Sequence, residues 1–228
     1  MSFLIASDTH GTMELAKVMR YFEAHPGEYT KDDYLIICGD VAACGFSAQE
    51  ELEVRLALKS LPVTTLFIDG NHENFNELDS YYVDIWNGGK VHIIESDIIH
   101  LMRGQVFEID GKSFFTFGGG YSVDKNYRKE GTTWFPQELP SPEEYDEGID
   151  NLLYAGFKVD YVISHSGPLD IVNELLTVEL IEQEKPLCKY LQIISENTKF
   201  KAWYFGHFHK DVVIKDKFFC LYEDIVKL

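Results

Sequence analysis

Short runs of apolar residues alternate, along the first third of the chain, with longer stretches whose apolar residues recur at helical spacing. Three of the short runs are strand-like, at 3–6, 34–38 and 65–68. A helical spacing begins near Thr12, which we expect to cap its helix, and another begins after Ser47. Near-continuous apolar strands that alternate with amphipathic helices are typical of βαβ units whose sheet is covered on both faces.

From about residue 91 the apolar runs become closely spaced, which predicts a series of neighbouring strands. The predicted strands are 91–94, 98–102, 106–109 and 113–117. Asp110-Gly111 predicts a hairpin turn between the last two of them. Residues 120–142 are rich in Gly, Pro, Tyr and charge without a sustained period, which is typical of an active-site loop or lid.

The last third of the chain returns to the alternation of helices and strands. It predicts helices at 142–155, 169–176 and 179–196, strands at 161–164 and 202–205, and a last hairpin of 212–214 with 218–222. No repeat or linker divides the sequence. We therefore expect residues 1–228 to form a single α/β domain.

The composition is that of an ordinary globular protein, with 45% hydrophobic and 25% charged residues. The four cysteines form no CxxC pair, which predicts reduced thiols in a cytoplasmic protein. The first residues lack the basic segment of a signal peptide, and no apolar run approaches the roughly 18 residues of a membrane span. We therefore expect cytoplasmic localisation and no membrane partner.

The net charge is −18, and the sequence pI is near 4.7. Such an acidic surface opposes polyanions, because contacts to phosphates normally supply most of the affinity for nucleic acid. We therefore expect no nucleic-acid partner. An acidic chain still binds a small anion where a bound metal ion dominates the local charge.

Polar side chains follow five of the predicted strands, at the point where each strand ends. The segments are Ser7-Asp8-Thr9-His10-Gly11, Gly39-Asp40, Gly70-Asn71-His72-Glu73, Ser164-His165 and Gly206-His207-Phe208-His209. Because ligands bind outside the carboxyl ends of strands in α/β sheets, we expect these segments to meet at one edge. Asp, Asn and His donors without a thiolate suit Mn²⁺, Fe or Zn²⁺, and they suffice for two ions.

Each segment taken alone also has a simpler explanation. Gly-Asp and Gly-Asn are common turn dipeptides, and Asp8 before a helix fits a cap. His207 and His209 fit packing in the core or in a hairpin about as well as they fit metal ligation. The metal-site hypothesis therefore depends on the five segments occurring together.

In their order along the chain, these motifs resemble those of the calcineurin-like metallophosphoesterases, over residues 8–209. The resemblance implies a four-layer α/β sandwich, in which two central mixed β-sheets are flanked by helices and carry a binuclear metal centre at the strand ends. One ion would be held by Asp8, His10, Asp40 and His209. The other would be held by Asp40, Asn71, His165 and His207. Asp40 would bridge the ions, and His72 would remain free of metal.

The function implied by this resemblance is metal-dependent hydrolysis of a small phosphomonoester or phosphodiester. A hydroxide bridging two divalent ions would attack the phosphorus, and His72 would act as general acid toward the leaving oxygen. Mn²⁺ is the first expectation, with Fe, Zn²⁺ or Ni²⁺ as alternatives. Two other functions remain open: a nuclease of the same chemistry, which the acidic composition disfavours, and a non-catalytic binding scaffold, which the intact ligand set disfavours.

The sequence departs from the phosphoprotein phosphatases of this superfamily at two motifs. Those enzymes carry Gly-Asp-x-Val-Asp-Arg-Gly at the second motif and an Arg just before Gly-Asn-His-Glu. Here the second motif is Gly39-Asp40-Val41-Ala42-Ala43-Cys44-Gly45, and Asp69 precedes Gly70. We therefore do not expect a Ser/Thr protein phosphatase. Asp69 either orients His72 or stabilises its own turn.

Because the arginines of those motifs are missing, substrate contacts are expected from the loop at 120–142. Arg128 is the candidate for a bidentate phosphate contact, with Tyr121 and Lys125 as further candidates. The simpler alternative is a solvated loop. The sequence leaves the oligomeric state open.

Overall fold

The computed structural model describes residues 1–228, whose strands form two β-sheets of seven and six strands. The strands are β1 (Phe3–Ala6), β2 (Tyr34–Ile37), β3 (Thr64–Phe67), β4 (Val83–Trp86), β5 (Gly89–Glu95), β6 (Ile98–Leu101), β7 (Gln105–Ile109), β8 (Lys112–Phe117), β9 (Tyr161–Ser164), β10 (Ala202–Phe205), β11 (Val212–Ile214), β12 (Phe218–Cys220) and β13 (Val226–Lys227).

The helices connect these strands and cover the sheets. They are α1 (Thr12–Ala24), α2 (Ala48–Ser60), α3 (Phe75–Leu78), α4 (Pro142–Tyr154), α5 (Leu169–Leu175) and α6 (Lys185–Asn197), with 3-10 turns at Lys125–Tyr127 and Pro136–Glu138. None of the helices combines the length and the apolar character that crossing a membrane requires.

Both sheets are parallel at the centre and antiparallel at the edges. The seven-stranded sheet has the order β13-β1-β2-β3-β6-β5-β4, in which the pairs from β1 to β6 are parallel. The six-stranded sheet has the order β11-β12-β10-β9-β8-β7, in which the pairs from β12 to β8 are parallel. The expectation of two mixed sheets is therefore confirmed.

Side chains of β1 show how the seven-stranded sheet is covered on both faces. Phe3 and Ile5 point toward the second sheet and pack in one cluster with Phe114. Leu4 and Ala6 point the other way, into a cluster that contains residues of α1 and α2. Because successive side chains of a strand alternate between faces, a strand buried on both sides must be apolar throughout.

The second sheet is covered in the same way. Phe114 of β8 faces the first sheet, whereas Phe115 and Phe117 pack with residues of α6 such as Leu187 and Leu191. The order of layers is therefore helices, sheet, sheet, helices, which confirms the predicted four-layer sandwich.

Most of the predicted elements are present, with shifted ends. Ser47 caps α2 by accepting a hydrogen bond from the backbone N–H of Glu50 at 3.2 Å, and Asp110-Gly111 joins β7 to β8. The cap of α1 is Gly11 rather than Thr12, which is the first helical residue. The pattern of apolar residues did not predict β4, α3 or β13, which are short.

The helix predicted at 179–196 is wrong in its first turns. It begins only at Lys185, and Pro186 stands in its first turn. Proline is favoured there because its missing N–H would have had no partner in the helix. Residues 176–184 therefore form a loop between α5 and α6.

The packing between the sheets yields a stability prediction. The Phe114 ring is fully buried, with ring centroids 5.1 Å from Phe3 and 5.3 Å from Tyr161. We expect Phe114→Ala to lower the free energy of unfolding by about 3–5 kcal/mol, because it leaves a cavity between the sheets. Urea denaturation followed by circular dichroism measures this change. Val213→Ala, at a side chain of β11 that is 56% exposed, should change it by less than about 0.5 kcal/mol; equal losses would contradict the inter-sheet placement.

Candidate metal centre

The seven candidate metal ligands lie together, where the carboxyl ends of strands from both sheets meet. Asp8 and His10 follow β1, Asp40 follows β2, Asn71 follows β3, His165 follows β9, and His207 and His209 follow β10. The first three strands belong to the seven-stranded sheet and the last two to the six-stranded sheet. The site is therefore assembled only when the two sheets pack against each other.

Asp40 lies at the centre of this group. Its Oδ2 is 3.0 Å from Nε2 of His10 and 3.5 Å from Nε2 of His165. Its Oδ1 accepts a hydrogen bond from the backbone N–H of His72 at 2.7 Å. One carboxylate therefore contacts residues from three other strand ends.

The amide of Asn71 turns its oxygen toward the histidines. Oδ1 lies 3.0 Å from Nε2 of His165 and 2.9 Å from Nδ1 of His207. Nδ2 donates to Oγ of Ser122 at 3.0 Å. Ser122, which the sequence did not single out, therefore contacts a candidate ligand and limits the rotation of its amide.

Asp8 is also fully buried within this group of ligands. Its Oδ1 is 3.5 Å from Nε2 of His209, and its Oδ2 accepts from Oγ of Ser7 at 2.6 Å and from the backbone N–H of His207 at 3.0 Å. Three groups of donor atoms lie within 4.8 Å of one another: Asp8, His10 and His209; His10, Asp40 and His72; and Asp8, Asp40 and His165.

The hydrogen bonds made by the outer ring nitrogens of His165 and His10 show whether a cation fits between the donor atoms. Nδ1 of His165 lies 2.7 Å from the carbonyl oxygen of Cys38, which only an N–H can satisfy. Nδ1 of His10 likewise faces a carboxylate oxygen of Glu14 at 2.5 Å. In the neutral rings, Nε2 then presents a lone pair to oxygens that are themselves acceptors. Such contacts are favourable only when a cation, either a proton or a metal ion, lies between them.

The pKa values show how strongly the site attracts a cation. Burial lowers the pKa of both rings, but the hydrogen bond and charge of Asp40 outweigh it and raise the pKa of His10 to about 9 and that of His165 to about 10. A bound divalent ion would take the place of these protons. A set of carboxylate, amide and imidazole donors without thiolate fits such an ion.

The backbone of the candidate ligands is strained. Positive φ angles occur at Asp8 (49°), His10 (30°), Asp40 (56°), His207 (66°) and His209 (49°). Residues other than glycine adopt this region rarely, and such residues cluster at functional sites where the surrounding structure enforces the conformation. The strain supports a functional role for these turns.

Two glycines allow ligands from different strands to approach each other closely. A Cβ atom on Gly70 would collide with Oδ1 and the backbone nitrogen of Asp40. A Cβ atom on Gly206 would collide with the side chains of Ser7 and Asp8. The glycines before Asn71 and His207 are therefore required by the packing of neighbouring ligands, in addition to any turn preference.

His72 lies beside the ligands and contacts Arg128. Nη2 of Arg128 is 2.6 Å from Nδ1 of His72, while its Nε donates to Oδ2 of Asp124 at 2.8 Å. Burial lowers the pKa of His72 to about 4; the charge of Asp40 opposes this shift and that of Arg128 adds to it. The ring is therefore neutral near pH 7 and accepts a hydrogen bond from the guanidinium.

Asp69 does not orient His72. Its carboxylate accepts from Nε and Nη2 of Arg103 at 2.8 and 2.6 Å and lies 3.2 Å from Nε2 of His100, so it is engaged in a buried ion pair. Arg103 holds the pKa of Asp69 well below its usual value despite the burial. Its hydrogen bonds therefore match neither role considered from the sequence, the orientation of His72 or the stabilisation of its own turn.

The other two residues predicted to contact substrate, Tyr121 and Lys125, differ in their position relative to the ligands. A cavity of about 550 Å³ opens beside the ligands, and Tyr121 lines it together with His72 and His207. Lys125 does not line this cavity, because its Nζ lies over the ring of Trp134, 3.7 Å from the centroid.

Two further residues connect His10 to His209. Tyr222 donates its hydroxyl hydrogen to Oε1 of Glu14 at 3.0 Å, and its ring stacks on His209 with a centroid distance of 4.4 Å and an angle of 8°. Glu14 contacts His10 through its other oxygen. Glu14, in the first turn of α1, is only four residues after His10 in the sequence. Tyr222 lies 208 residues beyond Glu14 and was not recognisable from the sequence.

A family model described as calcineurin-like phosphoesterase matches residues 1–211. A comparison with curated proteins finds no match. Among solved structures, one described as a candidate 5'-nucleotidase from Staphylococcus aureus is 14% identical with a TM-score of 0.56; the alignment covers 99% of this chain and 50% of that chain. The phosphopantetheinyl hydrolase PptH from Mycobacterium tuberculosis is 14% identical with a TM-score of 0.50, over 97% of this chain and 89% of that chain.

The present chain thus spans half the length of the Staphylococcus aureus protein. At such low identity, these two similarities support the fold and carry nothing about the substrate.

The close approach at Gly70 gives a prediction about metal binding. We expect Gly70→Ala to displace the Asp40 carboxylate and to remove most of the divalent metal that the purified chain retains after loading with Mn²⁺ and desalting. Metal content by mass spectrometry and far-UV circular dichroism measure the loss and the integrity of the fold.

Gly111→Ala is the control for a methyl group on a glycine away from the ligands: a Cβ atom there meets nothing within 4 Å, and its φ of 71° costs alanine about 1–2 kcal/mol of stability without touching the site. It should keep its metal. Full metal content in Gly70→Ala would contradict the placement of Asp40 against that backbone.

Proposed function

The chain belongs to the calcineurin-like phosphoesterase family, and we propose that it hydrolyses a phosphomonoester or phosphodiester with the help of two divalent metal ions. The observation that carries this proposal is the convergence of oxygen and nitrogen donors from five strand ends around the buried carboxylate of Asp40. Without a cation between them, the lone pairs of those donor atoms would repel one another. When bound, such ions supply Lewis-acid polarisation of a phosphoryl oxygen and an activated water molecule.

The proposed division of the ligands follows the two sides of Asp40. Asp8, His10, Asp40 and His209 would hold one ion, and Asp40, Asn71, His165 and His207 the other. Support comes from Oδ2 of Asp40, which lies 3.0 Å from His10 of the first set and 3.5 Å from His165 of the second. Mn²⁺ is the ion we propose first, with Fe, Zn²⁺ or Ni²⁺ as alternatives, because the donor set contains no thiolate.

His72 is the proposed general acid. In the ligand-free chain it is neutral and accepts a hydrogen bond from Arg128. A bound phosphate competes for the N–H groups of Arg128 and adds negative charge beside the ring, and both effects favour the protonated imidazole. The ring then holds a proton within the site that it transfers to the leaving oxygen.

Arg128 is the proposed phosphate contact from the long loop. Its contacts with Asp124 and the carbonyl oxygen of Thr133 hold the guanidinium beside His72 before substrate arrives. Tyr121 lines the adjacent cavity and is a second candidate. Lys125 has the least support, since it would have to leave the ring of Trp134 to reach a substrate.

The two alternative functions have less support. A nuclease needs cations along a groove, whereas no Lys or Arg lines the cavity beside the ligands and the net charge is −18. A non-catalytic scaffold has no need for strained backbone at five of the ligand positions.

The proposed assignment of the ligands to two ions predicts which variants lose the same ion. We expect His209→Ala and His207→Ala each to reduce the metal content from about two ions per chain to about one. Because His10 and His209 serve the same ion in this proposal, the double variant of these two should retain about one ion. The double variant of His207 and His209 should retain none. Mass spectrometry of the metal-loaded proteins gives these counts, and loss of both ions from either single variant would overturn the division.

The role of His72 predicts a dependence on the leaving group. We expect His72→Ala to lower kcat for an alkyl phosphate by about 10²–10⁴-fold while leaving the metal content nearly intact. With 4-nitrophenyl phosphate the loss should be much smaller, because that leaving group departs without a proton. His25→Ala, at the end of α1, serves as the control and should resemble the unmodified chain. An equal loss with both esters, or loss of metal, would remove His72 from the role of acid.

A further inference from the structure

The cavity beside the candidate metal centre is apolar over much of its wall. Its volume is about 550 Å³, within the range of small-molecule sites. The apolar wall is formed by Val123, Leu176, Val178, Leu180, Ile181 and Phe208. Four of these belong to the loop at 176–184, which exists because α6 begins only at Lys185.

Several of these apolar side chains are exposed to solvent. Val123 is 77% exposed, Val178 72% and Ile181 38%. Solvent exposure of neighbouring apolar side chains is unfavourable, and a contiguous exposed patch of this kind marks a binding surface. Its position next to His72 and His207 places it where the organic group of a phosphoester would lie.

The charged residues of the cavity are all acidic. Asp40, Asp124, Glu179 and Glu184 line it and no Lys or Arg does, although Asp124 pairs with Arg128 and Glu179 with Lys185 outside the wall. Glu184 is almost fully buried; its Oε2 accepts from the backbone N–H of Tyr121 at 2.6 Å, while its Oε1 has no hydrogen-bond partner. A carboxylate buried in this way disfavours the binding of further negative charge beside it.

Resting on the proposed function, we propose that this cavity selects phosphoesters whose organic group is compact, apolar and free of negative charge. Aryl, benzyl and branched alkyl esters belong to this class. Polyphosphates, oligonucleotides and acidic phosphopeptides do not, because each would place further negative charge beside the buried carboxylate of Glu184, in a wall that offers no Lys or Arg to bind it. The specificity thus comes from the loop at 176–184, apart from the residues that perform the chemistry.

Binding of non-hydrolysable phosphonates tests the cavity independently of catalysis. Ethylphosphonate, benzylphosphonate and 4-carboxybenzylphosphonate are titrated into the Mn²⁺-loaded full chain by calorimetry. We expect benzylphosphonate to bind at least about tenfold more tightly than ethylphosphonate, because its ring covers the apolar wall. The added carboxylate should abolish that gain.

Val178→Lys should reduce the preference for benzylphosphonate over 4-carboxybenzylphosphonate. Since this side chain is 72% exposed, the substitution should be tolerated by the fold. It should weaken the binding of benzylphosphonate and strengthen that of 4-carboxybenzylphosphonate, each by about two- to fivefold, through the new cation in the wall. Val213→Lys is the matched control, at an exposed valine of β11 that does not line the cavity, and should change neither affinity.

Hydrolysis of ethyl phosphate and benzyl phosphate is measured separately to keep the two proposals apart. No hydrolysis of either ester would overturn the proposed function and leave the binding comparison standing. Equal affinity for the ethyl and benzyl compounds, no binding of benzylphosphonate, or no response to Val178→Lys would overturn the assignment of the cavity even if both esters are hydrolysed.

Discussion

The site depends on one buried carboxylate that faces two imidazole nitrogens. Asp40 is held by the backbone N–H of His72 and lies within 3.5 Å of His10 and His165, whose other ring nitrogens face Glu14 and the carbonyl of Cys38. Because those outer contacts fix the tautomers, the neutral site would bring lone pairs together around the buried Asp40. A cation is therefore part of the stable arrangement, and the raised pKa values of His10 and His165 express the same requirement in terms of protons.

The four-layer fold supplies this arrangement by placing strand ends from two sheets at one edge. Phe3, Ile5 and Phe114 pack the sheets face to face, so the turns after β1, β2 and β3 meet those after β9 and β10. These turns approach one another so closely that Gly70 and Gly206 have no room for a side chain. The packing energy of the two-sheet core therefore holds the strained backbone of the ligands, including Asp8 and His209, in place.

The sequence predicted those parts of the molecule that depend on local pattern. Apolar runs located the central strands, and a polar residue behind each run located the ligands, because both are properties of a few adjacent residues. The sequence did not predict contacts between segments that are distant along the chain. Examples are the contacts of Tyr222 with His209, Ser122 with Asn71, and Arg103 with Asp69. The prediction also failed at residues 176–184, whose apolar spacing suits a helix although Pro186 sets the helix start and the side chains form a cavity wall.

The acidity of the chain links the metal requirement to substrate choice. With a net charge of −18 and no Lys or Arg in the cavity, attraction for a phosphate must come from bound cations and from Arg128 at the edge of the site. These cations would lie where the phosphoryl group binds. A second anionic group would lie beside the buried carboxylate of Glu184, in a cavity wall without Lys or Arg. The proposed substrate cavity is therefore suited to phosphoesters whose only negative charge is on the phosphate being cleaved.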